Sequence, residues 1–244
     1  MTDTPNYGFN RYPQFSVNHI SDYLSTVHAT QRTKLICAAK FPKKVEVAAY
    51  SQVRQALKRA LTTDNFDRDG LDFLAGKLEA RTLMESGYNR DEALRCIKAV
   101  RAFQDTFTPR RFGRYELSAN PKTLLKSISG VKLKVSLDAL VTQSQDGEIF
   151  AGGLILLYAF SSDRTAITDR LAAASALILW ALEDGQMQPL PRLCMAVDLA
   201  ETKVVKASRS HERFRERVEA SCSEVAARWN EIEPPHDYDG PDWR

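Results

Sequence analysis

The sequence predicts an α/β or α+β fold: a helical N-terminal half, then a small mixed sheet with a buried helix, and a C-terminal helix. Three observations predict it. Through the first half, apolar residues recur at three- and four-residue spacing, the period of a helix face. From Val131 the stretch "GVKLKVSLDALV" alternates apolar and polar, the period of a half-buried strand. Further on, "LAAASALILWAL" is apolar almost all round, as in a helix enclosed by its own protein. No Gly- or Ser-rich linker interrupts the chain. The expectation is one domain over 15–232, with a helical part at 15–108 and a sheet-containing part at 109–232. An irregular arm, 1–14, and a flexible tail, 233–244, flank it.

Each element follows from local chemistry. Ser16 is placed to cap "VNHISDYLSTV", whose Val17, Ile20, Tyr23 and Leu24 share a face. Thr30 is placed to cap "QRTKLICAAKF", which Pro42 ends. "VEVAAYSQVRQALKRALTT" carries a stripe of Val53, Ala56, Leu57, Ala60 and Leu61, and a further helix follows Gly70. Asn89 and Glu92 have capping-box spacing ahead of Leu94, Ile97, Val100 and Phe103. In the second half, Asp146-Gly147 is a hairpin turn pair between the alternating strand and "IFAGGLILLYAF", a run suited to burial on both faces. Gly152 and Gly153 within it mark a bulge or a close backbone approach. "RLCMAVDLAETKVVKAS" reads as a second hairpin. The last helix carries Phe214, Val218, Cys222, Val225 and Trp229.

Composition excludes little. Across 244 residues, 43% hydrophobic and 27% charged are ordinary for a globular chain, and a net charge of +3 does not by itself imply nucleic acid. No apolar run reaches the roughly 20 residues of a membrane helix, so no membrane partner is expected. The polar start shows no signal peptide. Cys37, Cys96, Cys194 and Cys222 are scattered, so reduced core thiols in a cytoplasmic protein are expected.

The order of elements resembles the RecB-like branch of the PD-(D/E)XK nucleases, the CRISPR-associated exonucleases among them. "FSVNHISDYLSTV" matches their opening helix in outline, "GVKLKVSLDALV" their aspartate-bearing strand, and "LAAASALILWAL" the helix after the hairpin. The resemblance implies that Asp138 is the candidate catalytic residue, an oxygen ligand for Mg²⁺ in phosphodiester hydrolysis. The pattern then departs. "AGGLILLYAF" supplies neither the second acid nor the lysine, the following helix lacks the Gln and Tyr, and "AAYSQVRQAL" lacks the histidine. Loss of four features together implies a degenerate site that needs no cofactor. Mg²⁺ belongs only to an alternative in which Glu116, Glu148 or Asp163 has taken over as ligand. In the simplest account Asp138 is a polar-face strand residue paired with Lys134.

Basic residues gather between 110 and 134: Arg110, Arg111, Arg114, Lys122, Lys126, Lys132 and Lys134, with Phe112 and Tyr115 interleaved. That mixture suits phosphate neutralisation and base stacking, and these seven are the candidate nucleic-acid-binding residues. The expected function is a non-catalytic protein on a nuclease-like scaffold. It would bind DNA or RNA, or a protein partner through its acidic, aromatic C-terminal tail. The alternatives are a metal-dependent nuclease with displaced residues around Asp138, and an interaction protein unrelated to nucleases.

Overall fold

The structure, a computed structural model, describes residues 5–44, 51–119, 123–157, 167–185 and 187–243, without the side chains of Ser51 and Gln52. Lys122 and Asp163 lie outside the described residues. The chain opens with strand β1 (Gln14–Ser16) and runs straight into helix α1 (Val17–Ser25), where the Ser16 hydroxyl accepts the His19 N–H as the expected cap. Helix α2 (Ala29–Lys40) begins just before Thr30, after a His28 that makes no side-chain cap. Helices α3 (Ser51–Leu61), α4 (Arg68–Met84) and α5 (Gly87–Thr106) follow, then the short α6 (Pro109–Phe112), with Pro109 in its first turn.

The stripe expected on α5 holds at Ile97, Val100 and Phe103 and fails at Leu94. Leu94 is exposed, and Ala93, Cys96, Ala99, Val100 and Phe103 face inward. Helices α4 and α5 fold back on each other, and small residues at 93, 96 and 99 let them approach closely. The Asn89–Glu92 capping box is also displaced, because the helix starts at Gly87.

The second half forms two mixed sheets rather than one. Strand β3 (Thr123–Ile128) and β4 (Val131–Ser136) make a hairpin over Ser129-Gly130, and β1 pairs parallel with β4. Strands β2 (Glu116–Ser118), β5 (Ala139–Gln145), β6 (Glu148–Leu157), β7 (Met195–Asp198) and β8 (Lys203–Lys206) make the larger sheet in the order β2-β5-β6-β7-β8. Only β6 and β7 run parallel in it, joined through α7 (Ile167–Leu182). The last helix is α8 (Glu212–Arg228). Asp146 and Gly147 form the two-residue turn of β5 and β6 with φ of 54° and 83°, the left-handed pair such a turn requires.

The apolar run of β6 is explained by its place. Leu154 and Leu156 enter one core, with Val53, Leu57, Val100, Phe103 and Phe112 of α3, α5 and α6. Ile155 and Leu157 enter the other, with Ile20 and Tyr23 of α1, Leu177 and Ile178 of α7, and Val218 and Trp229 at the C-terminus. A strand walled on both faces needs apolar residues at every position, and each such side chain contributes about 1.5–3 kcal/mol. The paired glycines mark a close approach: a Cβ on Gly152 would fall onto the Leu193 carbonyl, and one on Gly153 onto Leu137 and Ile178.

The arm has no regular structure before β1, and both it and the C-terminal tail pack against the domain. Gly8 and Asn10 donate backbone hydrogen bonds to Pro42 and Lys40, so the arm lies along residues 40–43. Asp239 accepts from the backbone and side-chain nitrogens of Asn6 and from the Tyr7 N–H. Asp237 accepts from the Tyr7 hydroxyl at 2.8 Å. Tyr238 and Trp243 meet Phe41 edge-on. Beneath this closure Lys40 is buried, donating to the carbonyls of Trp229 and Ile232 with its ammonium 5.4 Å from the Trp243 ring. "HDYDGPDW" therefore has a packing role, although its apolar residues follow no helix or strand period.

Candidate functional site

Asp138 lies where the chain changes sheets. Alternation holds through Val131, Leu133, Val135 and Leu137, which are buried, and Lys132, Lys134 and Ser136, which are exposed. Strand β4 then ends, Leu137 and Asp138 form a bend, and β5 begins in the larger sheet. The bend takes Asp138 off the polar face and buries its side chain completely. Pairing with Lys134 is corrected accordingly. The partners are Arg54 and Lys58, one turn apart on α3, with nitrogens 3.2 Å and 3.3 Å from Oδ1. Oδ2 accepts the buried Leu156 N–H at 2.7 Å, and the Asp138 N–H donates to the Leu154 carbonyl. The carboxylate thus stitches β6 to the start of β5 and anchors α3 over the junction.

Neither Glu148 nor Glu116 lies there. Glu148 opposes Gln145 at the far turn, six residues from Leu154, about 20 Å along the strand. Glu116 opposes Thr142 and accepts its hydroxyl. Among the described residues no group of three His, Cys, Asp or Glu side chains could hold a metal ion. The four cysteines are free thiols, and burial pushes Cys194 and Cys222 up to about 12, so both are protonated at neutral pH.

The basic residues separate into two sets. Lys132 and Lys134 point to solvent from β4, while Lys126 of β3 is held by both oxygens of Asp184 at 2.9 Å and lies over Trp180. Arg110, Arg111 and Arg114 lie on α6 and the turn after it, fixed by the buried Phe112 against the larger sheet. There they meet cations that sequence reading missed. Lys206 of β8 donates to the Tyr115 hydroxyl at 3.2 Å, and the Arg114 guanidinium lies 4.9 Å from the Tyr115 ring centre. Burial raises the Tyr115 phenol, but these two cations outweigh it and hold the group below its ordinary value. Arg111 and Lys203 line one open crevice of about 460 Å³, together with Ile167, Thr168, Glu201, Thr202 and Val204.

The crevice is built on the turn between β7 and β8. Asp198 is buried at the end of β7, where Oδ1 accepts the Glu201 N–H at 2.9 Å and Oδ2 has no hydrogen-bond partner among the described residues. Burial pushes its carboxyl up, against the opposing pull of that N–H and of Arg170. The chain then passes through Thr202 with φ of 49° and returns as β8. The Lys203 ammonium reaches Thr168 in the first turn of α7, 2.5 Å from its hydroxyl.

One signal for the missed residues was present in the sequence: Arg54 and Lys58 are four apart on a predicted helix, hence on one face. Lys203 and Lys206 flank a strand, but their convergence with α6 is purely tertiary. No protein-family model matches the chain, and none of the curated proteins does. The nuclease resemblance therefore rests on the order of elements.

Proposed function

We propose that the protein is a non-catalytic nucleic-acid-binding protein on a nuclease-like α/β scaffold. The observation that carries this reading is two pairs of cations drawn from α6 and its turn and from β8: Arg114 and Lys206 meet at Tyr115, Arg111 and Lys203 line one crevice, and Arg110 lies next to Arg111 on α6. All five are exposed, and none forms an ion pair with a described carboxylate, so no described acid offsets their charge. Phosphate oxygens are the ligand such a surface recognises, with Tyr115 held between Arg114 and Lys206 as an aromatic neighbour. The nuclease alternative is disfavoured because Asp138 is already neutralised by Arg54 and Lys58 and accepts a backbone N–H. Docking of a protein through the tail is disfavoured because Tyr238 and Trp243 are turned onto Phe41.

The test is fluorescence anisotropy with labelled single- and double-stranded DNA and RNA over a range of salt. Five phosphate contacts on a single strand give a slope of about −3.5 in log K against log salt. Arg114→Gln with Lys206→Gln should lower that slope by about 1.4. Salt-independent binding, or none, would sink the proposal. Cleavage in Mg²⁺ that is lost in Asp138→Asn would restore the nuclease.

A further inference from the structure

We infer that the crevice between α6, the first turn of α7 and the β7–β8 turn holds one nucleoside phosphate unit. This deepens the nucleic-acid reading by naming where a nucleotide sits. Its volume of about 460 Å³ lies within the range of small-ligand pockets, roughly 300–1,000 Å³. Its lining is chemically mixed in a way that matches such a unit. Arg111 and Lys203 come from different elements, and neither forms an ion pair with a described carboxylate, so the crevice carries two cations without a described counter-charge on either. The Arg111 fork suits two phosphate oxygens, while the Lys203 ammonium is oriented by Thr168. Thr168 and Thr202 offer hydroxyls, and the side chains of Ile167 and Val204 offer an apolar edge for a sugar or base.

The local backbone fixes this arrangement before any ligand arrives. Asp198 holds the turn through the Glu201 N–H, and the left-handed Thr202 turns the chain toward Lys203. The cations are thereby brought into one crevice by a buried anchor instead of by long flexible loops. Phe112 does the same for Arg111 from the other side.

The experiment is a titration of the full chain with adenosine 5′-monophosphate, adenosine and inorganic phosphate, followed by amide NMR shifts and calorimetry. Expected is saturable binding of the monophosphate, with the largest shifts at Thr168, Thr202 and Lys203. Adenosine and phosphate should each bind at least about tenfold more weakly. Arg111→Gln and Lys203→Gln should each weaken the monophosphate about fivefold to tenfold, because each removes a charge-assisted bond. Lys98→Gln on α5 changes the charge equally and should leave it unaltered. Both crevice side chains are exposed, and unchanged near-UV dichroism would show that the variants fold.

Absence of saturable monophosphate binding, or binding indifferent to both variants, would overturn the inference. So would equal affinity for inorganic phosphate, which would make the site a simple anion hole. Oligonucleotide binding measured in parallel separates the two claims. Strand binding that survives both variants retires the crevice and keeps the function, while monophosphate binding without strand binding does the reverse.

Discussion

Replacing Asp138 by alanine tests whether that carboxylate is a structural rivet or a site in waiting. The change leaves the Leu156 N–H buried without an acceptor, since the donor lies 2.7 Å from Oδ2. An orphaned buried amide costs about 1–3 kcal/mol. The ion pairs add less. Arg54 and Lys58 are 38% and 34% exposed, so they recover water when the carboxylate goes, and their share is about 0–1 kcal/mol. The sum is about 1–4 kcal/mol. Asp138→Asn keeps a carbonyl oxygen for Leu156 but sets an amide donor toward the two cations, and should cost only about 1–2 kcal/mol. Urea unfolding followed by tryptophan fluorescence reads both. An alanine variant within about 0.5 kcal/mol of wild type would refute the reasoning. Equal costs for the two variants would show that the Leu156 bond is not what holds the junction. Saturable Mn²⁺ heat that disappears in Asp138→Asn would mark a ligand.

Other expectations follow from the same geometry. Gly152→Ala should destabilise far more than Gly153→Ala, because the first meets a backbone carbonyl and the second meets movable side chains at a cost of about 1–3 kcal/mol; thermal melts of both variants decide it. Asp198 has a raised folded value, so its native state binds more protons than the unfolded chain. The stability linked to that proton is fully present below the ordinary carboxylate range and is lost as pH rises through the raised value. Asp198→Asn should therefore gain on wild type as urea midpoints are taken from pH 4 toward pH 7, and a constant difference would contradict this. The tail has the opposite sign. The Tyr7 hydroxyl holds the Asp237 carboxyl below its ordinary value, and the Asn6 and Tyr7 amides do so for Asp239. Truncation after residue 236 should lower the melting temperature at neutral pH. That difference should shrink only as pH falls below the ordinary carboxylate value through the depressed ones, and a shrinkage already at pH 6 would point elsewhere.

Periodicity made much of the fold legible. The strand from Val131, the Asp146-Gly147 turn, the all-apolar β6 and the enclosed α7 each follow from a pattern confined to one element. The failures share a cause, which is that partners distant in sequence decide the outcome. Leu94 belongs to a tidy stripe, yet the small residues on the neighbouring face of α5 let α4 approach and rotate Leu94 outward. Asp138 keeps the alternation of its strand until the chain switches sheets, and its partner Arg54 lies 84 positions earlier. Lys203 and Lys206 have no local mark distinguishing them from any solvated strand edge. The role of Gly152 as a close approach was legible, but the carbonyl it meets was not.

The contact between Asn6 and Asp239 also sets the architecture available to an engineer. Segments joined ahead of the one and beyond the other depart from a single patch, so two fused modules would be held side by side. A short peptide could join those ends directly, with new termini opened in the exposed Asp146-Gly147 turn. Such a permutant would make the β5–β6 pairing, now the most local contact of the larger sheet, the one with the greatest separation along the chain. Its refolding rate would then report how early that pairing forms.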